Sequence, residues 1–289
     1  MRRNIPFAII YDFDGTLAPG NMQERNFIPA IGMNTRKFWK EVTEISKQHE
    51  ADNILIYMKL MLDKAEASSV QVRASNFEEF GRDLEFFEGI LPYTTEDNTT
   101  YKGWFQRINE YGNSVGVKVE HYIVSSGIRE MIKGTRIAKE FKAIFASSFF
   151  YDHHGVARWP ALALNYTTKT QYLFRINKGC LDVSDNKLIN KYVPEESRKI
   201  PFKNMIYIGD GETDIPCFRL VKDRGGYSIA VYKPRGRGAK EKIKNLISDG
   251  RVNYIAPADY RESHQIDRIV KAILDNVQTE SYLHKLLSK

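Results

Sequence analysis

A chain of 289 residues is long enough for one buried core and a smaller insertion. Hydrophobic residues make up 42% of the sequence and charged residues 27%, which are ordinary globular values and exclude a disordered chain. No run of residues is long and apolar enough to cross a bilayer, so we expect no membrane partner.

The net charge of +7 raises the question of an anionic partner. The densest basic stretch, residues 233–240, lacks interleaved aromatic residues and matches no nucleic-acid-binding module. Scattered solvated lysines explain the charge, and a phosphate ester would also suit a mildly basic protein. We therefore expect a small phosphorylated substrate and no nucleic acid.

The cellular compartment is indicated by the first residues and by the cysteines. The apolar run that follows the two initial arginines, residues 5–10, is too short for a signal peptide. Cys180 and Cys217 allow at most one disulfide and lack the spacing of paired metal ligands. These features predict a cytoplasmic protein.

The apolar run at residues 5–11 ends at a Gly-Thr turn and predicts a buried strand. A helical pattern follows, in which Asn34 and Asp52 can each cap an amphipathic helix. Ser75 and Glu78 form a capping box that predicts a third helix over residues 77–87.

Strands and helices alternate after this helical stretch. The sequence predicts helices at 104–111, at 128–132 and from Lys169 to 176, and strands at 117–124, 145–150, 161–165, 205–208, 227–231 and 252–255. Such alternation predicts an α/β fold with a doubly wound parallel sheet.

Two pairs of aspartates follow two of these strands, Asp12 and Asp14 after the first and Asp210 and Asp214 after the strand at 205–208. Ligands of doubly wound sheets bind at the carboxyl ends of the strands, so we expect the four carboxylates around one pocket. They would repel one another unless a hard cation such as Mg²⁺ lay between them.

Phosphate ligands are predicted at the same edge of the sheet. Ser125 and Ser126 follow the strand at 117–124, and Lys169 begins a predicted helix. Hydroxyl groups, backbone amides at a helix start and ammonium groups all bind phosphate oxygens.

In this order the residues resemble the four motifs of the haloacid dehalogenase (HAD) superfamily. The sequence Asp-Phe-Asp-Gly-Thr-Leu at 12–17 is similar to the first motif and Val-Ser-Ser-Gly at 124–127 to the second. Lys169 is similar to the third, and Gly-Asp-Gly-Glu-Thr-Asp at 209–214 to the fourth. The motifs and their spacing resemble phosphoserine phosphatase-like members.

The resemblance implies a domain organisation and a reaction. Residues 1–17 and 91–289 would form a HAD-like Rossmannoid core, and residues 18–90 a helical C1-type cap. The reaction would be Mg²⁺-dependent hydrolysis of a phosphomonoester, with Asp12 as the nucleophile that forms an aspartyl-phosphate and Asp14 as general acid and base.

The resemblance also implies ligands. Mg²⁺ would be held by the Asp12 carboxylate, the Asp14 backbone carbonyl and Asp210, with Asp214 binding directly or through water. The phosphoryl group would be bound by Ser125, the backbone amide of Ser126 and Lys169.

The lysine of the third motif has three rivals in the sequence: Lys139, Lys142 and Lys178. Lys169 is favoured because it follows a hairpin-like stretch and starts a helix, whereas Lys178 lies at the far end of that helix, before a glycine.

Other activities stay open. A dehalogenase needs neither Asp14 nor a metal ion, so Asp14 favours phosphate chemistry. A phosphotransferase or phosphomutase would use the same aspartyl-phosphate, and a non-catalytic binding module could keep the fold. The oligomeric state is not predicted by these patterns.

Substrate specificity is expected where the chain enters the insertion. Gln23, Glu24 and Arg25 lie just after the first motif, and Gly or Pro residues near 17–21 and 89–93 suit hinges. A closing helical cap favours small phosphorylated metabolites as substrates.

Overall fold

The computed structural model describes residues 4–234 and 238–287, without the side chains of residues 239, 240 and 242. Much of the basic stretch at 233–240 therefore lies outside the described residues. The strands within the described ranges are β1 (Ile5–Tyr11), β2 (Tyr93–Thr94), β3 (Thr100–Tyr101), β4 (Val117–Ile128), β5 (Phe141–Tyr151), β6 (Ala157–Leu162), β7 (Met205–Gly209), β8 (Tyr227–Tyr232) and β9 (Tyr254–Pro257).

The described α-helices lie between these strands and at the end of the chain. They are α1 (Phe27–Ala30), α2 (Thr35–Gln48), α3 (Asn53–Ala67), α4 (Ala74–Arg82), α5 (Trp104–Ser114), α6 (Arg129–Gly134), α7 (Tyr166–Lys178), α8 (Asn186–Asn190), α9 (Ile215–Asp223), α10 (Ala239–Ser248) and α11 (Gln265–Leu287). Of these, α1, α8, α9, α10 and α11 were not predicted from the sequence. None of the described helices combines the length and the apolar character that a membrane span requires.

One seven-stranded sheet has the order β6-β5-β4-β1-β7-β8-β9. The strands are parallel except for β6, which pairs antiparallel with β5. Helices flank the sheet, and the predicted α/β class is confirmed. The antiparallel pairing of β5 with β6 agrees with the hairpin-like stretch predicted there, because only residues 152–156 separate the two strands and so short a connection joins antiparallel strands.

The central strand β1 contributes side chains to two separate hydrophobic cores. Phe7, Ile9 and Tyr11 pack in one core, whereas Ala8 and Ile10 pack in the other. Successive side chains of a strand point to opposite faces, so both faces of the sheet are covered. β4 and β7 flank β1, and the chain reaches them in opposite directions along the sheet. A ligand crevice is expected at this switch in direction.

A buried network of hydrogen-bonded polar side chains stabilises the end of β1. The Tyr11 hydroxyl accepts a hydrogen bond from Trp104 Nε1 at 2.9 Å and lies 3.0 Å from His121 Nδ1. His121 Nε2 lies 3.1 Å from Asn109 Oδ1. Burial lowers the pKa of His121 to about 3, so the ring is neutral and bridges the tyrosine and the amide.

The helices α1–α4 follow β1, and no strand is described between residues 18 and 90. Two predicted caps are confirmed: Asn34 Oδ1 accepts hydrogen bonds from the backbone at the start of α2, and Asp52 Oδ1 does so at the start of α3. The third predicted helix is present, but its bounds and its cap differ from the prediction. It begins at Ala74 and ends at Arg82, with Arg73 as its cap, because Arg73 is tied to the β5–β6 turn by a bridge to Val156.

Helix α4 crosses α6 of the sheet-bearing part at two glycines. A Cβ added at Gly81 would lie 1.8 Å from the carbonyl oxygen of Met131, and one added at Gly134 would lie 1.8 Å from that of Glu78. The two backbones are therefore in direct contact. Phe77 of α4 also stacks on Phe149 of β5, with ring centroids 5.2 Å apart.

Candidate active site

The loop after β1 places Asp12 and Asp14 at the carboxyl edge of the sheet. The backbone N–H of Asp12 donates to the Ile208 carbonyl at 2.9 Å, which joins this loop to the end of β7. Gly15 has a φ of +74°, and a Cβ there would lie 2.0 Å from Asp210 Oδ2. Glycine is needed at this position because the Asp210 carboxylate packs against its backbone.

Lys169 is a fully buried cation between two carboxylates. Its Nζ lies 3.1 Å from Asp12 Oδ1 and 2.8 Å from Asp214 Oδ1. Burial alone would lower the pKa of Lys169, but the two carboxylates outweigh burial and hold this pKa above its usual value. The side chain comes from the first turn of α7, which begins at Tyr166 and not at Lys169 as predicted.

The rival lysines lie elsewhere. Lys178 Nζ donates to the carbonyl oxygens of Ile189 and Lys191, and Lys139 and Lys142 are exposed. Lys169 is the lysine that the structure brings to the carboxylates.

Asp214 is completely buried, and both of its carboxylate oxygens accept hydrogen bonds. Oδ1 accepts from Lys169 and, at 2.7 Å, from the Tyr207 hydroxyl. Oδ2 accepts from the backbone N–H groups of Asp210 and Gly211, at 3.2 and 3.3 Å. Asp214 is therefore built to orient Lys169 and the 209–214 loop, which leaves little room for direct binding of a metal ion.

The residues present fit a hard divalent cation. Carboxylate oxygens of Asp12, Asp210 and Asp214 all lie within 4.8 Å of one another. Within the described ranges the Asp210 carboxylate forms no ion pair, and Lys169 is the one cation paired with the cluster. One lysine leaves most of the negative charge uncompensated, and oxygen donors of this type suit Mg²⁺.

Asp14 has a different environment from the other three aspartates. Its Oδ1 accepts a hydrogen bond from the Met22 N–H at 2.9 Å, and it lies outside the group of carboxylates that approach within metal-binding distance. Burial, and then the neighbouring Asp12, raise the pKa of Asp14 well above its usual value. A raised pKa favours the protonated carboxyl group, which is the form that an acid catalyst needs.

The Asp12 carboxyl is buried too, and burial raises its pKa to about 6. Lys169 opposes this rise and Asp214 adds to it. The Lys169 charge therefore favours the ionised, nucleophilic form of Asp12.

The Ser125 and Ser126 segment is a bulge inside β4 and not a loop after it. Pairing with β5 shifts between Ser125 and Ile128, so the strand continues to the start of α6. The Gly127 N–H donates to Ser125 Oγ at 3.1 Å, which leaves the Ser125 hydroxyl proton free for another acceptor. The Ser126 hydroxyl is buried and has no hydrogen-bond partner in the described ranges. A phosphoryl oxygen would supply partners to both.

Most of these residues line one chamber of about 500 Å³, whereas Lys169 and Asp214 are not among its lining residues. Its floor contains Asp12, Asp14, Ser125, Ser126 and Asp210. The other large group of lining residues comes from the predicted cap and is called the cap-side wall here: Gln23, Trp39, Val42, Thr43, Asn53, Ile54, Tyr57 and Phe87. The chamber is of the size that small-molecule sites have.

The three residues predicted to set specificity have different environments in the structure. Gln23 is buried and lines the chamber. Glu24 accepts hydrogen bonds from Trp39 Nε1 and Asn21 Nδ2, both at 2.7 Å, and Arg25 pairs with Glu85. Neither Glu24 nor Arg25 lines the chamber.

Sequence reasoning missed Tyr57, Tyr207 and Lys233. The Tyr57 hydroxyl donates to the Ser126 carbonyl at 2.6 Å, which joins α3 to the serine bulge. Lys233 follows β8 and lines the chamber. The position of Tyr207 inside a strand next to the fourth motif could have signalled a role, whereas Tyr57 looks like any aromatic residue of an amphipathic helix.

Comparisons with known proteins agree with this geometry. The model of the haloacid dehalogenase-like hydrolase family matches residues 9–219. An uncharacterized protein of Borreliella burgdorferi is 29% identical over 299 aligned positions, which cover 92% of this chain and 95% of that protein.

Two solved structures share the fold at low sequence identity. A HAD family hydrolase from Salmonella enterica has a TM-score of 0.55 at 13% identity, covering 94% of this chain and 73% of that one. A substrate-bound phosphoserine phosphatase has a TM-score of 0.52 at 15% identity, covering 92% of this chain and 98% of that one. With the family match spanning the aspartates at 12–14 and 210–214 and the lysine between them, the chain belongs to the haloacid dehalogenase-like hydrolase family.

Proposed function

We propose that the protein is a Mg²⁺-dependent phosphomonoester hydrolase that forms an aspartyl-phosphate on Asp12. The observation that carries this proposal is the buried Lys169 ammonium, 3.1 Å from Asp12 Oδ1, next to a chamber that Asp12, Asp14 and two serines line. A nucleophile, a proton donor and phosphate ligands thus meet around one space. The phosphatase among the structural relatives supports the same reaction.

The residues act in two steps. Asp12 attacks phosphorus while Asp14 gives its proton to the leaving oxygen. Asp14 then takes a proton from the water molecule that hydrolyses the aspartyl-phosphate. Ser125 and the backbone amide of Ser126 bind phosphoryl oxygens, and Lys169 neutralises charge as it accumulates.

Mg²⁺ would be held by Asp12, the Asp14 carbonyl and Asp210, and when bound it offsets the repulsion between carboxylate and phosphate. Asp214 would contribute through water or through Lys169, since its own oxygens accept four hydrogen bonds.

We further propose that residues 1–17 and 91–289 form the catalytic core and that residues 18–90 form a cap over it. The helices of the cap supply most of the cap-side wall. A cytoplasmic location is supported by Cys180 and Cys217, which are both free and buried. We propose a small phosphorylated substrate, without nucleic acid or membrane as partner.

Turnover of p-nitrophenyl phosphate with Mg²⁺ tests the proposal. We expect activity that is lost in excess chelator and lost in Asp12→Asn, because an amide is a poor nucleophile of nearly equal volume. Asp223→Asn, on the outside of α9, is the matched control and should keep its activity. Full activity in chelator, or in Asp12→Asn, would contradict the mechanism.

Release of inorganic phosphate, followed with and without an added alcohol, separates a hydrolase from a phosphotransferase. A hydrolase releases one phosphate per p-nitrophenol under both conditions. If less phosphate than p-nitrophenol is released, and the difference grows with the concentration of the alcohol, the phosphoryl group is transferred to the hydroxyl acceptor.

A further inference from the structure

The cap-side wall contains no charged side chain among the described residues. Building on the proposed phosphatase activity, we propose that the substrates are phosphomonoesters of uncharged, hydroxylated alcohols. The leaving group must occupy the space between this wall and the catalytic floor. A charged leaving group would give up water there without gaining an opposite charge from the wall.

Glu24 and Arg25, the two charged residues that follow Gln23, have partners within the protein. The Glu24 carboxylate accepts a hydrogen bond from the indole N–H of Trp39, and Arg25 pairs with Glu85. Neither Glu24 nor Arg25 lines the chamber, so within the described ranges the leaving group meets no charged side chain on this wall.

Gln23 supplies a polar group inside the wall. Its side chain is only 2% exposed, and its Oε1 accepts no hydrogen bond within the described part of the chain. The Tyr57 hydroxyl next to it already donates to the Ser126 carbonyl. A buried amide oxygen without a partner is costly, and a hydroxyl of the leaving group can donate a hydrogen bond to it.

The rest of the wall offers apolar surface with polar groups at its rim. Trp39 and Tyr57 meet edge to face, with centroids 5.7 Å apart, and Val42 lies beside them on the chamber. Thr43 and Asn53 are exposed and line the same chamber. Such a surface packs against the C–H faces of a short polyol and bonds its hydroxyl groups.

Lys233 also lines the chamber, but it does not belong to the cap-side wall. It follows β8, the strand beside β7, and so belongs to the side that carries Asp210.

Four three-carbon or smaller esters test the inference: glycerol 3-phosphate, 3-phosphoglycerate, phosphoserine and O-phosphoethanolamine, assayed with Mg²⁺ beside p-nitrophenyl phosphate. We expect kcat/KM for glycerol 3-phosphate to exceed that of each charged ester by at least about tenfold. A charged ester that equals or exceeds it would overturn the inference. If p-nitrophenyl phosphate is hydrolysed but glycerol 3-phosphate is not preferred, this inference fails and the proposed phosphatase activity stands. If no ester is hydrolysed, the proposed phosphatase activity itself is wrong.

Charge-changing variants locate the preference in the wall. Asn53→Asp adds a negative charge at the rim and should raise the ratio of O-phosphoethanolamine to glycerol 3-phosphate turnover by about threefold or more. Gln48→Glu adds the same charge at the exposed end of α2, outside the chamber, and should leave the ratio unchanged. Equal ratios in the two variants would mean that the wall does not contact the leaving group.

Discussion

Replacement of Lys169 by methionine removes a buried charge at nearly constant length. In the native protein this ammonium is fully buried and pairs with Asp12 and Asp214. Loss of one partner from a buried ion pair leaves charge uncompensated and typically costs about 3–5 kcal/mol. We expect the free energy of unfolding of Lys169→Met to fall by about that amount at pH 8 in chelator.

The deficit in the free energy of unfolding of Lys169→Met, relative to the wild type, should depend on pH. Lys169 lowers the pKa of Asp12, which burial holds at about 6, so its removal raises this pKa further above the value in the unfolded chain. A carboxyl group whose pKa is raised on folding destabilises the protein above that pKa, and this effect disappears as the pH falls below its unfolded value. The deficit should therefore shrink between pH 8 and pH 5.

Urea unfolding followed by circular dichroism measures the deficit. Lys142→Met, at an exposed position of β5, is the matched control and should change stability by no more than about 0.5 kcal/mol. If Lys169→Met were as stable as this control at pH 8, the buried ion pair would not exist as described, and the assignment of Lys169 to the site would fail.

Three further predictions concern the supports of the site. Burial lowers the pKa of His121 from 6.5 to about 3. The contribution of the neutral ring to the free energy of unfolding is therefore full above pH 6.5 and is lost as the pH falls towards 3. In urea titrations between pH 8 and pH 5, the free energy of unfolding of the wild type should fall by roughly 2 kcal/mol more than that of His121→Gln. Gly81→Ala should lower the free energy of unfolding by about 1–3 kcal/mol, because its Cβ would strike the Met131 carbonyl; a thermal melt unchanged from wild type would contradict the α4–α6 contact. Tyr57→Phe should lower kcat for p-nitrophenyl phosphate by about tenfold through loss of the bond to Ser126; an unchanged kcat would show that this bond does not position the serine bulge.

The sheet and its polar edge could be predicted from the sequence because the signals are local. Buried strands such as β1 and β7 are short apolar runs that end in Asp-Gly or Gly-Asp turns. The caps of α2 and α3 were predicted for the same reason, since a side chain that bonds the next backbone amides needs no tertiary contact.

Features that depend on distant residues could not be predicted in this way. The start of α4 is set by the bridge between Arg73 and Val156, far apart in sequence, and the Ser75 capping box is overridden. Gln23 lines the chamber whereas Glu24 and Arg25 do not, and this difference depends on the partner that each side chain contacts. Sequence spacing alone carries no information on such contacts.

The central claim is that Asp12 carries the phosphoryl group during turnover. Borohydride added to the protein during turnover of a phosphomonoester with Mg²⁺ reduces an acyl-phosphate to an alcohol, and peptide mass spectrometry then locates the modified residue. We predict conversion of Asp12 to homoserine, dependent on substrate and absent in Asp12→Asn. Conversion at another aspartate, or active turnover without any modification of Asp12, would contradict the mechanism.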